Sequence, residues 1–122
     1  AQLSRGLGDV YKRQVMNSLK KAGEFLDQLE ANIEDSGWIA GDKFSMADAC
    51  TLPYILRLDH LALSEAFSKE KRTKINNWYK EVRGLDFFDK AVTSQIPPPL
   101  VEMMNTFGEE VKEKALNLME EK

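Results

Sequence analysis

The stretch "GDKFSMADACTLPY", Gly41 to Tyr54, decides the fold. Between Lys43 and Arg57 the chain carries a single charge, Asp48, in a run that is otherwise small, apolar or hydroxylic. Ser45 precedes that acid by three positions, the spacing of a capping box. The serine hydroxyl can accept from the N–H of Asp48, and the carboxylate can reach back to the N–H of Ser45. A negative group also suits the positive end of the helix dipole. Phe44 forms an apolar lid on the same turn. A helix that is apolar on most sides is buried on most sides, so this one, from Ser45 to about Ala62, is predicted to pass through the middle of the domain. Pro53 removes one backbone donor and predicts a kink. Asp48 is therefore read as structural, its partner being the backbone of a buried helix start, in preference to a catalytic or ligand-binding role; a buried charge persists when it is hydrogen-bonded.

Helical spacing also governs the flanks. Val15, Leu19, Ala22, Leu26, Leu29 and Ile33 fall in steps of three and four, one continuous stripe, with Lys20, Lys21, Glu24, Asp27, Gln28 and Glu30 on the wet face. "DSGW" ends this helix, and Gly37 can take the left-handed conformation. A third helix is predicted from near Ser68, with Ile75, Trp78, Tyr79 and Val82 as its buried stripe and Gly84 as its end. "LDFFDKAVT" predicts a short helix capped by Asp86. "IPPP" breaks the chain, and Leu100, Met103, Met104, Phe107, Val111, Ala115 and Leu118 predict a long amphipathic last helix. Its charge-rich end, "GEEVKEKALNLMEEK", reads as a solvated face. No clean two-residue alternation marks a strand. The fold class is all-α: an orthogonal helical bundle around a buried central helix, spanning residues 15–122.

The bulk numbers exclude several functions. The 122 residues make one domain, 43% apolar and 30% charged. The formal net charge is −3; residues 1–14 carry Arg5, Lys12 and Arg13 against Asp9, which leaves −5 for the rest. An acidic body without a basic stripe argues against nucleic acid. No apolar run approaches the length of a membrane span. One cysteine and one histidine, without clustered ligands, argue against a metal site and fit a reducing compartment, so the cytoplasm is the expected location. Cys50, on an apolar helix with no basic neighbour in sequence, reads as a buried structural thiol and not a nucleophile. His60 reads as a surface histidine.

Taken together, "GWIAGDKFSMADACTLPYILRLDHL" and "INNWYKEVRGLDFFDKAV" resemble the C-terminal domain of glutathione S-transferases. Trp38, Ile39, Gly41 and Asp42 match that family's loop; Phe44, Ser45, Ala47 and Asp48 match the start of its central helix. Trp78, Val82, Phe87 and Phe88 match its later tryptophan-centred and aromatic helices. The likeness spans about residues 15–94. It implies that glutathione, a co-substrate of the intact parent, is held by an N-terminal thioredoxin-like domain for which this chain has no βαβ pattern. No catalytic residue and no cofactor is therefore expected in this chain, and it should be inactive alone. The resemblance further implies a homodimeric parent and a small electrophilic apolar substrate. Tyr54, Met103, Met104 and Phe107 are the candidates for the hydrophobic co-substrate pocket, with core packing as the rival reading. The same helical domain also serves as a non-catalytic interaction module, the alternative function. Finally, "GLGDVYKRQ" looks like translated sequencing adaptor joined to a truncated reading frame, so residues 1–14 are expected to be a non-native leader; a genuine loop and helix start is the alternative.

Overall fold

The computed structural model describes the backbone of residues 2–121, and the side chains of residues 9, 10 and 13–121. Among these the regular structure is all helical. Five α-helices follow one another: α1 (Gln2–Asn32), α2 (Met46–His60), α3 (Thr73–Arg83), α4 (Phe88–Ala91) and α5 (Pro98–Met119), with short 3₁₀ turns at Ser64–Phe67 and Thr93–Gln95.

α1 begins at Gln2, well before the Val15 at which the apolar stripe predicts it to start. Nothing between Gln2 and Gln14 is a proline, and extending an existing helix adds one hydrogen bond per residue fixed, which outweighs the cost of about 1 kcal/mol each at Gly6 and Gly8. The stripe itself is buried only from its middle onward. Leu26, Leu29 and Ile33 lie in the core, Leu19 and Ala22 are half-buried, and Val15 is exposed. Past the helix end Gly37 takes φ +92°, the left-handed region that its missing Cβ permits.

α3 supplies the centre of the core. Ile75, Trp78, Tyr79 and Val82, the predicted stripe, are all buried. The helix starts at Thr73 and not near Ser68: the single turn that the Lys71 and Arg72 N–H groups close on the Ser68 carbonyl is cut off by Arg72, whose backbone is non-helical at φ −142° and ψ 79°. Its first amides are capped from outside: Glu30 on α1 accepts from Lys74 N–H through Oε2 and from Ile75 N–H through Oε1, both at 2.9 Å. An acid at a helix N-terminus is favoured by the dipole, so α1 holds α3 electrostatically as well as by packing. The short α4 is preceded by Phe87, which has no side-chain cap, so Asp86 does not cap it as expected.

α5 lies against α1, running in the same direction, and its charged tail is not simply a wet face. Ala115, Leu116, Leu118 and Met119 are buried. Two glycines set the approach. A Cβ on Gly23 would sit 1.8 Å from the Met119 carbonyl oxygen, and one on Gly108 would sit 1.6 Å from that of Leu61. Only backbone fits at either crossing. The α5 terminus is also pinned by Arg72, a buried arginine that the sequence pattern does not reveal. Its guanidinium donates to Asp27 Oδ1 from Nε (3.2 Å) and Nη2 (2.9 Å), to Glu120 Oε1 from Nη1 (2.8 Å), and to the Ala66 carbonyl. One cation thus joins α1, the 3₁₀ turn and the end of α5, and its desolvation is offset by two carboxylates and a carbonyl.

Candidate functional site

The capping box at the head of α2 is wider than two residues. Asp48 is completely buried and accepts four hydrogen bonds. Oδ2 takes the Ser45 N–H at 2.9 Å and the Ser45 hydroxyl at 3.1 Å. Oδ1 takes the Trp78 indole N–H at 2.7 Å and the Ile39 N–H at 3.2 Å. The return leg of the box, from Asp48 N–H toward the Ser45 hydroxyl, is within reach but makes no regular side-chain cap bond. The carboxylate therefore ties the Trp38–Phe44 loop, the start of α2 and the middle of α3 to one point. It is completely buried, with all four of its partners inside the domain. The sequence reading finds Ser45 and Asp48 but misses Trp78 as partner. The available signal was the indole itself: a fully buried Trp N–H needs an acceptor, and Asp48 is the buried carboxylate on the neighbouring helix.

α2 is not covered on most sides. Asp48, Leu52 and Ile55 face the core, whereas Met46 (76% exposed), Cys50, Pro53 and Tyr54 (64% exposed) face outward. Cys50 is therefore an exposed thiol and not the buried one expected. The reason is that this face is covered only at its edge, where Phe25 meets Tyr54, so an apolar composition does not bury the helix all round. Beside it runs an aromatic chain: Trp38 meets Phe44 edge-on at 6.1 Å between centroids, and Phe44 meets Phe87 at 5.4 Å, with Phe87 half out in solvent.

The four candidate pocket residues are not gathered in one cavity. Tyr54 lies against Phe25 of α1, 5.5 Å between centroids. Met103 and Phe107 share a shallow groove on α5 with Pro99 and Thr106, and both are more than half exposed. Met104 is half-buried on the same helix. Phe107 also enters a second, mostly apolar groove of about 360 Å³ between α5 and the Val15–Leu19 part of α1. The first half of α5 and the outer face of α2 are thus open apolar surfaces.

A cavity of about 610 Å³ lies elsewhere, where the last turn of α2 meets α3, α4 and the start of α5. Its apolar wall includes Leu56, Phe88, Val92 and Val101, and its polar groups include Asp59, His60, Arg83 and Glu102. His60, expected on the surface, is half-buried there. The Tyr79 hydroxyl donates to Asp59 Oδ2 at 2.7 Å. Burial, reinforced by that carboxylate, holds the phenol neutral well above the usual tyrosine range. Arg83 sits over the same ring, 4.4 Å from its centroid. No group of three or more metal-ligating side chains occurs among the described residues, and no described helix is long and apolar enough to cross a membrane.

Comparison with known proteins agrees with the architecture. No solved structure gives a significant match. A curated relative, the glutathione S-transferase TCHQD of Arabidopsis thaliana, is 33% identical over 70 residues, covering 51% of this chain and 26% of its own length. The chain thus spans about a quarter of the length of that relative. Residues 6–86, which hold the Asp48 hub, all of α3 and most of α1, match the family described as glutathione S-transferase, C-terminal domain, and the chain belongs to that family.

Proposed function

We propose that this chain is the helical half of a glutathione S-transferase and forms the wall that receives an apolar electrophile, while a neighbouring thioredoxin-like domain holds and ionises glutathione. The observation that carries this reading is the uncovered face of α2. Met46, Cys50 and Pro53, with the open side of Tyr54, leave an exposed stripe of apolar and sulfur-bearing side chains on the helix whose first turn carries the Asp48 hub. Such a stripe fits a surface completed by another domain and by a small hydrophobic molecule. The open side chains Met103 and Phe107 on α5 fit the same role, being flexible and aromatic respectively. Glutathione would be a co-substrate of the whole protein, which in this reading is a cytoplasmic homodimer.

The reaction is attack of the glutathione thiolate on an electrophilic carbon, and this chain contributes the binding of that carbon's apolar body. The test is conjugation of glutathione to a chlorinated nitrobenzene by the full-length protein, made from the recovered upstream coding sequence. Turnover is expected for the full-length protein and none for the chain alone. In the full-length protein, Phe107→Ala should raise KM for the aromatic substrate and leave KM for glutathione unchanged. Turnover by the chain alone would overturn the division of labour. An upstream sequence that encodes no thiol-stabilising domain would replace the reading with a non-catalytic interaction module.

A further inference from the structure

The cavity at the end of α2 is separate from the open α2 face. It has the size of a small-molecule site, and its charges select a ligand class. Two carboxylates, Asp59 and Glu102, line it against one guanidinium, Arg83. Among the described residues neither carboxylate has a cationic partner at ion-pair distance. Asp59 is oriented by the Tyr79 hydroxyl on Oδ2, and its Oδ1 accepts no hydrogen bond among the described residues. Arg83 stacks on the Tyr79 ring and so is held to the protein. Leu56, Phe88, Val92 and Val101 offer an apolar bed beside the acids.

We propose that this cavity binds an apolar amine: a hydrocarbon or aromatic body on the Phe88/Val92 wall, with its ammonium group donating to Asp59 and facing Glu102. The site needs neither glutathione nor a second domain, so it stands or falls apart from the transferase reading. An ammonium supplies the donors that Oδ1 can accept, and it neutralises the excess negative charge of the lining. A carboxylate head on the same body would meet Asp59 and Glu102 with like charge and leave Oδ1 without a donor.

The experiment uses the full chain, with 4-phenylbutylamine and 4-phenylbutyrate as probes that share a body and differ in charge. Backbone amide shifts report where each binds, and titration reports how tightly. The amine is expected to bind about fivefold more tightly than the carboxylate, the scale of a partly screened ion pair. It should shift the amides of Tyr79, Phe88 and Val92 and not those of Met46 or Tyr54. Asp59→Asn and Glu102→Gln should each weaken the amine about threefold and leave the carboxylate unchanged or tighter. The asparagine side chain of the first variant can still accept from the Tyr79 hydroxyl, and Glu102 is exposed, so both variants should keep the fold. Equal or tighter binding of the carboxylate, indifference to both substitutions, or shifts confined to the open face of α2 would each overturn the proposal.

Discussion

Asp48 has more partners than any other carboxylate described in the domain. Replacing it by alanine removes the acceptor for the Ser45 and Ile39 amides and the Trp78 indole at once. Loss of the cap costs about 1 kcal/mol, and a buried indole left unpaired adds roughly 1–3 kcal/mol. Asp48→Ala should therefore lower stability by about 2–4 kcal/mol, read as a shifted midpoint in urea; an unchanged midpoint would mean that the carboxylate is not the hub described above. A second residue carries strain that can be relieved. Ala62 takes φ +62° at the end of α2, where its N–H bonds to the Asp59 carbonyl and that of Leu63 to the Leu58 carbonyl. This is the helix end that usually carries glycine. The left-handed conformation costs an alanine about 1–2 kcal/mol, more than the added freedom of a glycine in the unfolded chain, about 0.4–1 kcal/mol. Ala62→Gly should raise the thermal midpoint by a few degrees, and a fall would show that the Ala62 methyl group is needed where it sits.

Among the elements, α5 is the one whose attachment is most specific. Its crossing over Leu61 leaves no space for a methyl group at Gly108, and its contact with α1 leaves none at Gly23. Overpacking of this kind typically costs about 1–3 kcal/mol, against roughly 1 kcal/mol of helix propensity gained by alanine. Gly108→Ala should thus be net destabilising, detected by calorimetry and by faster hydrogen exchange along α5; unchanged exchange would show that α5 does not touch Leu61. The comparison between sequence and structure is sharpest here. The stripes of α1 and α3 were legible because a period of 3.6 residues is printed in the chain itself, and the Ser45–Asp48 box was legible because its partners lie three residues apart. Arg72 was not legible: Asp27 and Glu120 lie 45 and 48 positions away, and no local pattern marks that pairing. The exposure of Cys50 was missed for a related reason, since composition reports which side chains prefer burial and not whether a neighbour is there to cover them. For the same reason, Tyr54, Met103, Met104 and Phe107 could be assigned to two helices from spacing and named as a set from a resemblance, while whether those two helix faces meet in one cavity could not be read from either.

For the molecule as a whole, apolar surface remains uncovered at Met46, Tyr54, Phe87, Met103 and Phe107. Exposed patches of several hundred Å² drive association, so light scattering across a dilution series should show reversible self-association; a strict monomer at high concentration would contradict it. The stretch 2–14, by contrast, extends α1 without a described buried side chain, Val10 being 51% exposed. Removing residues 1–14 should leave the thermal midpoint within error, and a clear loss would show that they pack as native structure.

The contact of Gly23 with Met119 also has a consequence in time. It closes a loop across 96 positions of the chain, and closure over such a distance is entropically late. A ribosome adding about 5–20 residues per second would release the partner of Gly23 roughly 5–20 seconds after Gly23 itself. During that interval the part of α1 that ends against α5 has nothing to lie on, while Glu30 can already meet α3. The domain should therefore be born in two stages, a core of α1 to α3 and then a docking of α5. The nascent chain is most exposed to chaperones and proteases between the two.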